Sequence, residues 1–130
     1  MVRLLLAGVW LSVLMGAQQK EQEPPEEDES LRPKEYVLNP LQANKEITAG
    51  NFYFKKGNYK AAARSYAEAS KWDPTSAEAQ LKLGEANEKM RDIPAAREAY
   101  EKYLTLASEA KDAEAVKKRL AKLPQTRGKK

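Results

Sequence analysis

The chain has 130 residues and a formal net charge of +4; 42% of its residues are hydrophobic and 32% are charged. This length and composition are typical of one modest helical domain with extensions, and they argue against a membrane bundle. Because the sequence contains neither cysteine nor histidine, it excludes disulfides, thiol nucleophiles, imidazole acid–base catalysis and the usual zinc ligands.

The first segment, residues 1–17, has the pattern of a secretory signal peptide. Arg3 supplies a positive charge, Leu4 to Met15 form an apolar run, and Gly16 and Ala17 offer small residues for cleavage. The run is shorter than the roughly 20 residues that a membrane-spanning helix needs. We therefore expect an exported protein, periplasmic or secreted. An uncleaved amino-terminal anchor in the membrane is the alternative.

Residues 18–38 are expected to form an acidic, disordered linker. The stretch from Glu21 to Glu29 holds six acids and no base, and prolines interrupt it. With almost no large apolar residue before Tyr36, this segment cannot bury enough surface to offset its ordering entropy. Order should begin at Asn39, a favoured N-cap, followed by Pro40, which suits the first helical position.

Two helices are predicted next, over residues 40–56 and 59–72, because apolar residues recur there at intervals of three and four. Gly57 and Asn58 form a turn between them. The side chains predicted to face inward are Ala43, Ala49, Phe52, Tyr53 and Lys56 in the first helix, and Tyr59, Ala62, Tyr66, Ala69 and Trp72 in the second.

A second pair of helices follows, over residues 76–89 and 93–107. Thr75 with Glu78 has the pattern of a capping box, and Asp92 is expected to cap the fourth helix after a turn at Arg91. The side chains predicted to face inward are Ala77, Leu83, Ala86 and Met90 in the third helix, and Ala96, Ala99, Tyr100, Tyr103 and Leu106 in the fourth.

A fifth helix is predicted over residues 113–123, with Asp112 as its cap. Its narrow apolar stripe consists of Val116, Leu120 and Leu123, and its other faces are basic. A terminal helix with one apolar side is what an open stack of helices needs at its end. Residues 124–130 form a basic tail that we expect to be disordered.

The two helical pairs repeat each other at one fixed interval in the sequence. The matching pairs are Gly50 and Gly84, Tyr59 and Ile93, Ala62 and Ala96, and Tyr66 and Tyr100. Self-similarity with a period of about 34 residues is typical of a helix–turn–helix solenoid, in which each unit buries its apolar face against the next.

On these residues the chain resembles the tetratricopeptide repeat (TPR) family. The resemblance is carried by Gly50, Tyr53, Gly57, Tyr59, Ala62, Tyr66, Ala69 and Pro74 in the first copy, and by Leu83, Gly84, Ile93, Ala96 and Tyr100 in the second. It implies an all-α fold, a short right-handed α-solenoid of two TPR helix–turn–helix units plus a carboxyl-terminal capping helix. The implied domain is 39–123, with repeats at about 43–76 and 77–110 and the cap at about 112–123. The sequence departs from the family pattern at Glu46 and Gln80, where the family often has Trp.

The resemblance also implies a function, the non-catalytic binding of another protein, whose peptide or helix would lie on the concave face of the first and third helices. By position, that face would consist of Asn44, Ile47, Asn51, Phe54, Lys55, Glu78, Leu81, Glu85, Glu88 and Lys89. Phe54 and Leu81 could instead pack within the chain, and the charged residues could form a solvated face. The sequence leaves open whether the groove is free or occupied by the chain's own flanking segments.

Other functions are less well supported by the residues. Glu85 and Glu88 have no nucleophile or metal ligand beside them, and no glycine-rich phosphate loop is present, so we predict no catalytic residue, cofactor or metal. Nucleic acid is not expected as a partner, because the basic end has no interleaved aromatics. The alternative to groove binding is a peripheral tether that contacts anionic lipid or another polyanion through the basic fifth helix and tail. Two repeats make a small core, so weak self-association is also expected.

Overall fold

The computed structural model describes residues 32–125. The predictions for residues 1–31 and 126–130, which include the signal peptide, most of the linker and most of the basic tail, lie outside the described residues. Between residues 32 and 125 the chain forms five helices and no strand, and none of these helices combines the length and apolarity needed to cross a bilayer. The helices are α1 (Pro40–Lys55), α2 (Tyr59–Trp72), α3 (Ala77–Lys89), α4 (Ile93–Leu106) and α5 (Ala113–Lys122).

Each helix end lies within one residue of its predicted place, because capping residues set most of these ends locally. The side chain of Asn39 accepts a hydrogen bond from the backbone N–H of Gln42 at 3.0 Å, as predicted. Asp92 caps α4 in the same way, accepting from the N–H of Ala95 at 3.3 Å. Each cap satisfies an N–H group that has no partner within its helix.

One predicted cap, Thr75, is wrong, and another, Asp112, occupies the predicted N-cap position without a side-chain capping bond. The side chain that caps α3 is Ser76, whereas the hydroxyl and N–H of Thr75 both donate to the carboxylate of Asp73. Asp112 stands at the start of α5, but its side chain makes no capping hydrogen bond, because its carboxylate accepts a hydrogen bond from the hydroxyl group of Tyr103. The competing acceptor at Thr75 is local, since Asp73 lies two residues earlier, whereas the fold brings the competing donor Tyr103 to Asp112.

The helices form two hairpins that stack in order. α1 packs against α2 and α3 against α4; α2 contacts α3, α4 contacts α5, and α1 also contacts α3 directly. One buried cluster joins α1, α2 and α3, and a second joins α4 to α5. The second helical pair therefore stacks on the first as a near-copy, and α5 covers the open side of α4.

The repeated glycines permit this packing. A Cβ atom on Gly50 would lie 2.5 Å from Cε1 of Tyr66, and one on Gly84 would lie 2.5 Å from Cε1 of Tyr100. Both distances are far shorter than the contact of about 3.5–4.0 Å that two carbon atoms prefer. The missing side chain at these two glycines therefore lets the paired helices approach closely.

The inward face predicted for α1 is confirmed at Ala43 and wrong at Phe52 and Tyr53. Its buried residues are Ala43, Ile47 and Gly50, whereas Phe52 is 57% exposed and Tyr53 is 37% exposed. Intervals of three and four residues fit more than one face of a helix, and the face that is buried depends on where the neighbouring helices lie. Three other residues predicted to face inward are also exposed, because the neighbouring helices do not cover them: Lys56, Met90 and Leu106.

Packed structure also begins earlier than predicted. The ring of Tyr36 lies edge-on to Trp72, with 4.9 Å between the ring centroids, and its hydroxyl donates to Glu68 at 2.7 Å. The expectation that the chain is disordered through Tyr36 is therefore wrong at this residue. Together with the hydrogen bond from the Asn39 N–H to the Trp72 carbonyl at 2.9 Å, Tyr36 holds this part of the chain against the end of α2.

Candidate functional site

Two hollows lie on the side of the stack that α1 and α3 form. The first has a volume of about 230 Å³ and the second of about 250 Å³. The first is lined by Asn51, Phe54, Lys55, Tyr66, Lys82 and Glu85, and the second by Glu85, Glu88, Lys89, Arg91 and Arg119.

The second hollow repeats the first one with a shift of one unit. Asn51, Phe54, Lys55 and Glu85 in the first hollow correspond, one repeat later, to Glu85, Glu88, Lys89 and Arg119 in the second. Glu85 lines both hollows, which makes them neighbours. We call this pair of hollows the concave groove.

In the first hollow an internal hydrogen bond orients the amide of Asn51. The hydroxyl of Tyr66 donates to Asn51 Oδ1 at 2.6 Å. Burial, with smaller contributions from the charges of Glu85 and Glu78, raises the pKa of Tyr66 to about 12, so the hydroxyl remains a donor at physiological pH. With its oxygen engaged, the Asn51 side chain presents its N–H₂ group as a donor to a partner.

In the second hollow an arginine from α5 holds both acids of α3. Arg119 Nε lies 2.8 Å from Glu88 Oε2, and its Nη1 lies 3.6 Å from Glu85 Oε1. The guanidinium also lies over the Tyr100 ring, 5.7 Å from the centroid, and the Tyr100 hydroxyl donates to Glu88 at 2.6 Å. Burial is the main cause that raises the pKa of Tyr100, so this hydroxyl also remains a donor.

Glu85 has a second cation, because Lys82 Nζ lies 3.7 Å from its Oε2. The chain itself thus supplies basic partners for Glu85 and Glu88. Through Arg119, α5 contributes to the wall of the second hollow. Among residues 32–125, no group of three acidic side chains is placed to hold a metal ion.

The residues predicted for the groove differ in their availability to a partner. Ile47 is only 5% exposed and belongs to the core around α1 and α2, so its side chain packs within the repeat. Phe54 and Leu81 are half-buried, and Leu81 packs against the cluster of α4 and α5. The exposed members are Asn44, Lys55, Glu78 and Lys89, and the other half-buried members are Asn51, Glu85 and Glu88.

Sequence reasoning misses four residues that line the groove: Tyr66, Lys82, Arg91 and Arg119. It places Arg119 only on the basic face of a cap, although Arg119 follows Glu85 by the same interval that separates Glu85 from Asn51. Extending the repeat period into the fifth helix would find it. Arg91 is treated as a turn residue, and it occupies the place in the second repeat that Gly57 has in the first. The two share a left-handed backbone, with φ 62° at Arg91 and 75° at Gly57.

Stacked helical hairpins with a repeated groove define a helical-repeat protein, and comparison with known families agrees. The pattern described as "TPR repeat" matches residues 50–90, and that described as "Tetratricopeptide repeat" matches residues 77–109. Residues 50–109 thus hold tetratricopeptide repeats, and the fold is an all-α TPR solenoid. Such repeats generally mediate protein–protein interaction and are typically non-catalytic scaffolds.

One similar protein is Stress-induced-phosphoprotein 1 of Caenorhabditis elegans. It is 52% identical over 40 residues, which make up 31% of this chain and 12% of that protein. The chain therefore matches only a short part of a much longer protein. The likeness supports the repeat architecture and does not extend to the activity of the whole relative.

Proposed function

We propose that this protein is a non-catalytic scaffold whose concave groove binds a segment of another protein, either an extended peptide or a helix. The observation that carries this proposal is the repetition of the groove, in which one set of positions lines two adjoining hollows. A polypeptide is itself a repeating chain, so equivalent positions at a regular spacing, with Lys55 and Lys89 as matching donors, suit it better than they suit a compact small molecule.

The groups that would contact such a segment are those that the fold leaves available. Asn51 offers its amide N–H₂ group, Lys55 and Lys89 are exposed at equivalent places in the two hollows, and Phe54 offers the exposed part of its ring. Ile47 is not among them because of its burial. The site therefore combines a few oriented polar groups with limited apolar contact.

We also propose that the protein acts in the cell envelope or outside the cell. The support for this is the pattern of residues 1–17, with Arg3 before an apolar run and small residues after it. A fusion of residues 1–17 to a reporter enzyme that is active only after export tests it. Reporter protein retained in the cytoplasm without activity would contradict the proposal.

The alternative, a tether that binds a polyanion through its basic end, is less favoured by the described part of α5. Lys117 pairs with Glu114 at 2.9 Å, and Arg119 is held by the acids of α3. Among residues 113–122, this leaves Lys118 and Lys122 as exposed cations without an ion pair. The charge that α5 can offer to a flat anionic surface is therefore smaller than its sequence suggests.

Site-specific photo-crosslinking tests the groove directly. A photo-reactive residue in place of Lys55 or Lys89 should yield an adduct with a partner protein from cell extract. The same residue in place of Lys60 or Lys45, which are exposed outside the groove, should yield none. Adducts of equal yield from all four positions would contradict the site. An adduct only from Lys118 or Lys122 would favour the tether.

A further inference from the structure

In the described part of the chain, the charged groups of the groove that have no ion-pair partner are cations, although two acids also line it. Five cations and two carboxylates line the two hollows. The two carboxylates, Glu85 and Glu88, are held by Arg119, and Glu85 also by Lys82. Within residues 32–125, the remaining cations Lys55, Lys89 and Arg91 have no carboxylate partner.

We propose that Arg119 determines the charge specificity of the groove: by masking the two acids of α3 it makes the groove select an acidic partner segment over a basic one. This rests on the proposed function and names the chemistry of the partner. The occupant is a stretch of another protein that carries Asp or Glu residues, which would lie near Lys55 in the first hollow and near Lys89 and Arg91 in the second.

The geometry explains why one arginine suffices. Its Nε is 2.8 Å from Glu88 and its Nη1 is 3.6 Å from Glu85, and the guanidinium lies over the Tyr100 ring. The Tyr100 hydroxyl adds a further donor to Glu88. Because Glu85 and Glu88 are paired with Arg119, they repel an acidic ligand less than free carboxylates would. Complementary charges across an interface determine which partners bind.

Charge-matched peptides test the proposal with the full chain. Three fluorescent peptides alternate alanine with glutamate, glutamine or lysine, and their affinities are measured by fluorescence anisotropy. We expect the glutamate peptide to bind about tenfold more tightly than the lysine peptide, because each exposed ion pair contributes only a small preference. Added salt should reduce this difference. Lys55→Glu with Lys89→Glu should abolish it, which would place binding in the groove and not on the basic tail.

Variants of Arg119 separate masking from other roles. Arg119→Gln should weaken the glutamate peptide by about threefold, and Arg119→Glu by about tenfold. Lys118→Gln removes the same charge from the same helix away from the acids, and it should leave the affinity unchanged. Adding Glu85→Gln and Glu88→Gln to Arg119→Gln removes the acids that need masking, so this triple variant should regain the preference of the wild type.

Each contrary outcome would refute a different part of the proposal. If the triple variant binds as weakly as Arg119→Gln, Arg119 contacts the ligand itself and masking is wrong. If Lys118→Gln weakens binding as much as Arg119→Gln, only net charge matters. Equal affinity for all three peptides would refute the preference for acidic segments but would leave the proposal of peptide binding in the groove intact. Binding of no peptide would remove the proposed function as well. Circular dichroism melts confirm that each variant is folded.

Discussion

Replacing Gly84 by alanine would test how strongly the helical pairs depend on their close approach. The added Cβ would lie 2.5 Å from Cε1 and 2.6 Å from Cδ1 of Tyr100. The Tyr100 ring is fully buried, with 0% of its surface exposed, and its hydroxyl is bound to Glu88. The ring therefore cannot swing into solvent, and α3 must instead move away from α4.

Two opposing effects determine the size of the change. Alanine in place of glycine within a helix stabilises by about 0.5–1 kcal/mol. Forcing an extra methyl into a packed site costs about 1–3 kcal/mol. Because both the ring and the backbone are confined here, overpacking should win, and we expect Gly84→Ala to lower the free energy of unfolding by about 1–2 kcal/mol. Gly50→Ala should behave alike, since its Cβ would lie 2.5 Å from Cε1 of Tyr66.

Urea denaturation followed by circular dichroism measures this change. Thr48→Ala is the matched control, because Thr48 is exposed on α1 and the substitution improves helix propensity without a clash. The control should be neutral or slightly stabilising. A Gly84→Ala variant that is more stable than the wild type would show that α3 and α4 can separate at little cost, and it would refute the reasoning on close packing.

Three further predictions concern stability. Arg91→Gly should raise the free energy of unfolding by about 1 kcal/mol in urea denaturation, because Arg91 has φ 62° and glycine adopts that conformation freely; a loss of stability would contradict this. Gln80→Leu should also stabilise, by about 1 kcal/mol, because the Gln80 Oε1 atom is buried without a hydrogen-bond partner in the described structure; an unchanged midpoint would mean that the oxygen is satisfied in solution. Folding raises the pKa of Tyr66 from 10.0 to about 12. The contribution of Tyr66 to the free energy of unfolding should therefore be complete below pH 10 and be lost as the pH rises toward 12. Tyr66→Phe should reduce the alkaline decline in stability, to which Tyr100 and Tyr103 also contribute because their pKa values are raised as well. Declines of equal size in the variant and the wild type would contradict a contribution from Tyr66.

Local signals in the sequence were sufficient to predict the helices and their order along the chain. Asn39 followed by Pro40, and Asp92 before the fourth helix, act on backbone groups within a few residues, so their effect can be read without knowing the fold. The repeat period was also visible, and it led correctly to stacked helical pairs. Repetition carries tertiary information because each copy packs on the next.

The choice of helix face and the partners of the charged groups were decided only by the tertiary structure. Phe52 fitted the predicted stripe of α1, but the positions of α2 and α3 bury Ile47 instead. Asp112 was a plausible cap until the fold brought Tyr103 to it. Arg119 belonged to a basic helix in the sequence, and it reaches Glu85 and Glu88 because α5 packs on α4. Side-chain pairing across helices depends on distances that residue order alone does not contain.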